Sequence, residues 1–189
     1  MAEKIRKLSQ HGINKDSWRR YGEKGKWSYS IEELGYKYNL TDKEYKRSKS
    51  PATISGDIII SCECLANILI FDATAILRKE LSWWSSEIPV KTKSIILNTR
   101  QREFDIIEWH ARDLQNRLNK EKLHCTQSSL TRAWEILSLV QQESRQVRKA
   151  YTTETAWNPK GGGIKNTIPQ TKWDSKISRK LEKYKRRNK

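Results

Sequence analysis

Apolar residues recur at helical spacing in two long stretches of the chain. From about Thr99 to Lys122, Phe104, Ile107, Ala111, Leu114 and Leu118 fall on one face. From about Ser129 to Tyr151, Leu130, Ala133, Leu137, Val140 and Val147 do the same. The short join Leu123–Ser128 predicts an antiparallel helical hairpin. Upstream lies the most apolar segment. Ile58–Ser61 reads there as a strand, whereas Leu65, Ile68, Leu69, Ala73, Ile76 and Leu77 fit helical spacing better than alternation. Trp83, Trp84 and Pro89 mark its end.

The flanks are less regular. Residues 2–10 predict a short helix with Ile5 and Leu8 on one side, and Gly12, Gly22 and Gly25 break regular structure after it. Trp27–Ile31 alternates aromatic and polar residues, as a short strand does. Gly35–Asp42 reads as an extended loop, with Thr41 or Asp42 able to cap a helix. Residues 43–56 are charged and then carry Ser, Pro and Gly, the composition of a linker. Beyond Thr152, Gly161, Gly162, Gly163 and two prolines interrupt any period, and Lys172–Lys189 predicts a frayed helix or disorder. The expected class is α+β, mostly helical.

Charge changes the picture more than composition does. The 189 residues carry a formal net charge of +16, and only 35% are hydrophobic. Such a field favours nucleic acid, an acidic membrane surface or another polyanion as a non-specific partner. A low apolar fraction argues against one compact core through the whole length. No apolar run approaches a membrane span, and the polar, charged N-terminus does not read as a signal peptide. Three cysteines without an export signal argue for a reducing compartment, so the expectation is a cytoplasmic chain.

Several residues invite a chemical role. Cys62, Cys64, His124 and Cys125 are the donor types zinc takes, but a one-residue spacer and an adjacent His-Cys pair are poor ligand spacings. They read better as buried or idle thiols, and no metal site is expected. His110 sits on the polar flank of the first long helix, as a surface histidine without a partner for acid–base work. Gly161-Gly162-Gly163-Ile164-Lys165 lacks the second glycine before the lysine and the following Ser or Thr of a phosphate loop, so it reads as a joint. In the tail, Lys172, Lys176, Arg179, Lys180, Lys183, Lys185, Arg186, Arg187 and Lys189 surround Trp173 and Tyr184. Cations neutralise phosphates and aromatics stack on unpaired bases, which is the physical case for nucleic-acid binding through the tail.

The densest motif lies in residues 7–42. His11, Gly12, Ile13, Asp16, Trp18, Arg20 and Tyr21 are followed by Trp27 and Tyr29, then by Gly35, Tyr36, Lys37, Tyr38, Asn39, Thr41 and Asp42. In identity and spacing this resembles the DegT/DnrJ/StrS family of pyridoxal-phosphate-dependent sugar aminotransferases. The resemblance implies a piece of a type I aminotransferase fold, a homodimer with shared active sites, and amino transfer from an amino donor to a keto-sugar nucleotide. It also implies that Gly35–Asp42 reaches a neighbouring subunit's site. Asn39 is then the first choice for contact with the cofactor phosphate and Lys37 the second, because an amide offers two N–H donors without adding charge. His11 takes a structural role.

Past Asp42 the resemblance stops. The family continues with a small-residue helix, whereas this chain continues Lys43-Glu44-Tyr45-Lys46-Arg47-Ser48. The family's Schiff-base lysine lies upstream of the His-Gly pair, and Lys4, Lys7 and Lys15 do not stand in its motif. The expected organisation is therefore an aminotransferase-like segment at 1–42, a linker and apolar segment at 43–94, a helical hairpin at 95–151 and a basic tail at 152–189. Two accounts of the break stand open: a shifted reading frame after Asp42, or a fusion to a small basic helical module. Either way, transamination by this chain alone is not expected.

Overall fold

The structure, a computed structural model, describes residues 18–20, 52–78, 81–84, 90–155, 157–158, 163–164 and 167–184. The short helix expected at 2–10, the strand expected at 27–31 and the loop at 35–42 lie outside them. The described part is α+β. Its strands are β1 (Trp18–Arg20), β2 (Ala52–Thr53), β3 (Gly56–Leu65), β4 (Ile68–Arg78), β5 (Trp83–Trp84), β6 (Trp157–Asn158) and β7 (Gly163–Ile164). Its helices are α1 (Val90–Glu121), α2 (Gln127–Glu154) and α3 (Thr167–Lys183). β1, β4 and β3 form one antiparallel sheet in that order, and β2 with β5 and β6 with β7 form two short pairs.

The expected helix after Leu65 is a strand. Leu69, Phe71, Ala73, Ala75 and Leu77 alternate toward the helices and join the main core, along with Ile58 from β3. The misleading signal is the second face: Ile76 and Thr74 are buried there too, so the apolar run does not alternate cleanly. Ala66 and Asn67, both at positive φ (46° and 63°), link Leu65 to Ile68 as a two-residue hairpin turn. That turn has no glycine to announce it. The strand expected at Ile58–Ser61 is present and longer, and part of the stretch read as linker forms β2 and the start of β3.

Both long helices form, α1 beginning nine residues earlier than its apolar period. Phe104, Ile107, Ala111, Leu114 and Leu118 pack with Leu130, Ala133, Leu137 and Val140 over the hairpin. The join opens with Lys122 at positive φ (47°) and closes on Thr126, whose hydroxyl accepts the Ser129 N–H at 3.2 Å as an N-cap. Between them the join lies along the hairpin tip. The Leu69 N–H donates to the Leu123 carbonyl (2.8 Å), and the Cys125 N–H to the Asn67 carbonyl (3.2 Å). A Cys64–Cys125 disulfide fastens the two hairpins together there. This overturns the reading of these two cysteines as idle thiols: Cys62 alone remains free.

Two glutamines finish the sheet edges. Gln115 of α1 accepts from the Ala73 N–H (2.8 Å) and donates to the Phe71 carbonyl (2.9 Å), as a neighbouring strand would. Gln141 of α2 donates to the Ile58 carbonyl on the opposite edge (3.1 Å). Replacing Gln115 by leucine leaves the Phe71 carbonyl and the Ala73 N–H without that partner. We expect a loss of about 1–3 kcal/mol in urea unfolding, with an unchanged m-value.

The basic tail is not frayed over Thr167–Lys183; it is the docked helix α3. Trp173 and Ile177 pack on Ile106 and Trp109 of α1 and Tyr151 of α2, a second apolar cluster. Arg102 reaches Asp174 (2.8 Å), and Arg112 donates to the Leu181 carbonyl (2.9 Å). α1 is thus covered on two sides, and every residue from Glu103 to Ala111 is buried.

Candidate functional site

The two predicted cofactor contacts, Asn39 and Lys37, lie outside the described residues. Among the described residues, a cleft of about 200 Å³ lies between the start of β3, α1 and α2. Gly56 lets the strand press onto α1, since a Cβ there would stand 2.7 Å from Ile107 Cδ1 and 3.1 Å from the Ile76 carbonyl oxygen. Asp57 follows at the mouth. Its Oδ1 accepts from the Ile58 N–H (2.9 Å) and from Gln141 (3.1 Å), and its Oδ2 from Arg78 (3.1 Å). Ser144, Arg145 and Arg148 of α2 complete the polar wall.

This arrangement suits holding an anion better than moving a proton. Both Asp57 oxygens already accept hydrogen bonds, one of them from the Arg78 guanidinium, so the carboxylate is engaged in tying the start of β3 to β4 and α2. Arg145 and Arg148 bring two guanidinium groups to the cleft, whose planar donor forks match carboxylate or phosphate oxygens.

Other expected site residues move to new roles. His110 is buried rather than exposed. Burial pushes its pKa below the ordinary value, and its Nδ1 stands 2.7 Å from the Ile106 carbonyl, so it is a neutral core histidine donating to the helix backbone. Trp173 cannot stack on a base: it is 5% exposed, and its indole N–H donates to Glu154 (2.7 Å). Tyr184 packs against the same cluster. Lys172, Lys176, Arg179 and Lys183 form an exposed stripe along α3. His124, a candidate zinc donor alongside the cysteines, sits on the tip bridge opposite Ile68.

Sequence reasoning missed the Tyr151 site altogether. Its hydroxyl lies between the Thr99 carbonyl (3.4 Å) and Gln170 (3.3 Å), and burial pushes its pKa up to about 12. It is a structural phenol at neutral pH. The available signal was an aromatic at the end of a helical period.

No helix among the described residues is long and apolar enough to cross a membrane. No family model matches the chain, and no solved structure matches it. A stretch of 42 residues, 22% of the chain, is 57% identical to an uncharacterised protein of Methanocaldococcus jannaschii. A stretch of the same length is 50% identical to the spore coat polysaccharide biosynthesis protein SpsC of Bacillus subtilis. In each case the match spans 11% of the relative's own length. A short part of this chain is therefore similar to a polysaccharide biosynthesis protein, and the rest has no such likeness.

Proposed function

We propose that residues 7–42 are a segment of a sugar-nucleotide aminotransferase site of the DegT/DnrJ/StrS kind, acting in the biosynthesis of cell-surface polysaccharide. The segment lends Asn39, and secondarily Lys37, to the phosphate of pyridoxal phosphate in a neighbouring subunit, beside an amino donor and a keto-sugar nucleotide. The single observation behind this reading is the 50% identity to a spore coat polysaccharide biosynthesis protein over 42 residues. It agrees with the His11–Asp42 motif. When bound, the cofactor supplies the electron sink; this segment's share is to bind and orient its phosphate.

The cleft at Asp57 does not fit the whole cofactor, because no lysine lines it to anchor the aldehyde. The 189-residue chain alone is accordingly expected to show neither cofactor absorbance nor amino transfer. Paired with a sugar-aminotransferase subunit from which the matching segment has been removed, it is expected to restore the cofactor's visible absorbance. Asn39→Ala then weakens cofactor binding about tenfold, near the 1.5–3 kcal/mol of a hydrogen bond to a charged group, and Lys37→Ala weakens it less. Failure of the unmodified chain to restore absorbance overturns the reading.

A second reading has one observation in its favour. The stripe Lys172, Lys176, Arg179 and Lys183 is held on a docked helix and is suited to a polyanion contacted through its phosphates alone.

A further inference from the structure

Among the described residues, several backbone groups along the β3–β4 hairpin edges are taken, and one stretch of β3 is not. On β4 the groups of Leu69, Phe71 and Ala73 are taken by Leu123 and Gln115, and β1 pairs with Ile76–Arg78. On β3, Ile58 is closed by Asp57 and Gln141. Backbone groups alternate in direction along a strand, so Ile60, Cys62 and Cys64 direct their amides and carbonyls the same way as Ile58, off the sheet. Among the described residues these groups have no partner. Ile60–Leu65 carries one exposed charge, Glu63, but has no proline, no lysine and no break in register.

Two exposed apolar side chains flank this edge. Leu65, at the hairpin tip, is 65% exposed, and Trp134 of α2 is 41% exposed. α2 runs antiparallel to β3, because Cys125 just before it is bonded to Cys64 while Gln141 reaches Ile58. Trp134 precedes Gln141 by about two helical turns and so shares its flank, roughly 10 Å back along the axis. That places it beside Ile60–Cys62, on the open side of the sheet.

We propose that this edge pairs with the same edge of a second copy of the chain, antiparallel and centred on Cys62. The two-fold register sets Ile60 opposite Cys64 of the second copy, Ser61 opposite its Glu63 and Ile59 opposite its Leu65. It forms about six backbone hydrogen bonds, sets the two Glu63 side chains diagonally across the axis rather than directly opposite each other, and gives each exposed Leu65 an apolar cross-strand neighbour. The lengths also agree. The second strand ends at Leu65, where the Ala66-Asn67 turn begins, so it stops one position short of Ile58, the residue already closed by Gln141. An unrelated extended peptide has no reason to match that limit. The two Trp134 side chains meet near the axis, over the joined sheet.

The test uses the full chain. Sedimentation is expected to show a concentration-dependent dimer of twice 22.3 kDa, and Trp134→Lys or Leu65→Lys is expected to raise its dissociation constant tenfold or more with unchanged circular dichroism. A register test separates this dimer from any other. In a Cys62→Ser background, Ser61→Cys chains mixed with Glu63→Cys chains are expected to form a disulfide-linked dimer on mild oxidation, and neither chain alone is expected to do so. A monomer at every concentration overturns the proposal, including the case in which another segment of the chain covers the edge. A dimer indifferent to Trp134→Lys and without the mixed cross-link overturns it equally. Neither outcome bears on the cofactor-phosphate reading, whose residues lie elsewhere.

Discussion

Removing the Cys64–Cys125 bond, by Cys64→Ser with Cys125→Ser or by reductant, is expected to destabilise the chain by roughly 4 kcal/mol. The bond closes a loop of 61 residues that holds β4, β5 and all of α1. Opening it returns that loop's entropy to the unfolded chain, which is the origin of the figure. For a chain of this length the melting temperature should fall by about 10 °C. Thermal unfolding with and without reductant measures it. Titration of thiols in denaturant supplies the control, with one reactive thiol, Cys62, before reduction and three after. Three thiols before reduction, with an unmoved melting temperature, would mean that the bond does not form. The same titration on protein taken from cells speaks to location. A reducing cytoplasm keeps such pairs open, so an intact bond in freshly isolated protein argues against the cytoplasmic expectation.

Trp173→Ala should have the second large effect, about 3–5 kcal/mol. The indole is buried between α1 and α2, edge-on to Tyr151 with centroids 5.6 Å apart, and its N–H is bound to Glu154. Truncation leaves a cavity in a cluster of five buried residues and removes the indole hydrogen bond to Glu154. α3 should then detach, and limited trypsin digestion should cut at Arg179 and Lys180 while the β3–β4 hairpin and α1–α2 stay protected. A base-stacking role for Trp173 predicts the reverse, with unchanged protease resistance and weakened binding to single-stranded nucleic acid.

The buried carboxylates of α1 show why α3 was hard to foresee. Asp105 pairs with Arg102, which also holds Asp174, and Glu108 pairs with Arg112, which also holds the Leu181 carbonyl. In sequence these are ordinary i, i+3 and i, i+4 surface pairs. Only the docking of α3 takes them out of water, and it turns two arginines into links between helices 69 and 72 residues apart. His110 follows the same logic: a polar residue beside Trp109 reads as exposed until tertiary packing buries that flank.

What the sequence determined by itself is what local periodicity can encode. The α1 and α2 stripes from Phe104 to Leu118 and from Leu130 to Val140, the polar join between them and the strand at Ile58 were all legible. Each rests on a repeat of 3.6 or 2 residues within one segment. The His11–Asp42 motif was legible in the same way, as spacing. Tertiary structure decided the rest. It made a strand of Ile68–Arg78, because helices cover one of its faces and Thr74 and Ile76 on the other are buried too, which hides the alternation. It joined Cys64 to Cys125 across 61 residues, a pairing that no spacing encodes. It also turned a basic tail into a packed helix, because the partners of Trp173 and Ile177 lie on two other helices and exist only once those have folded.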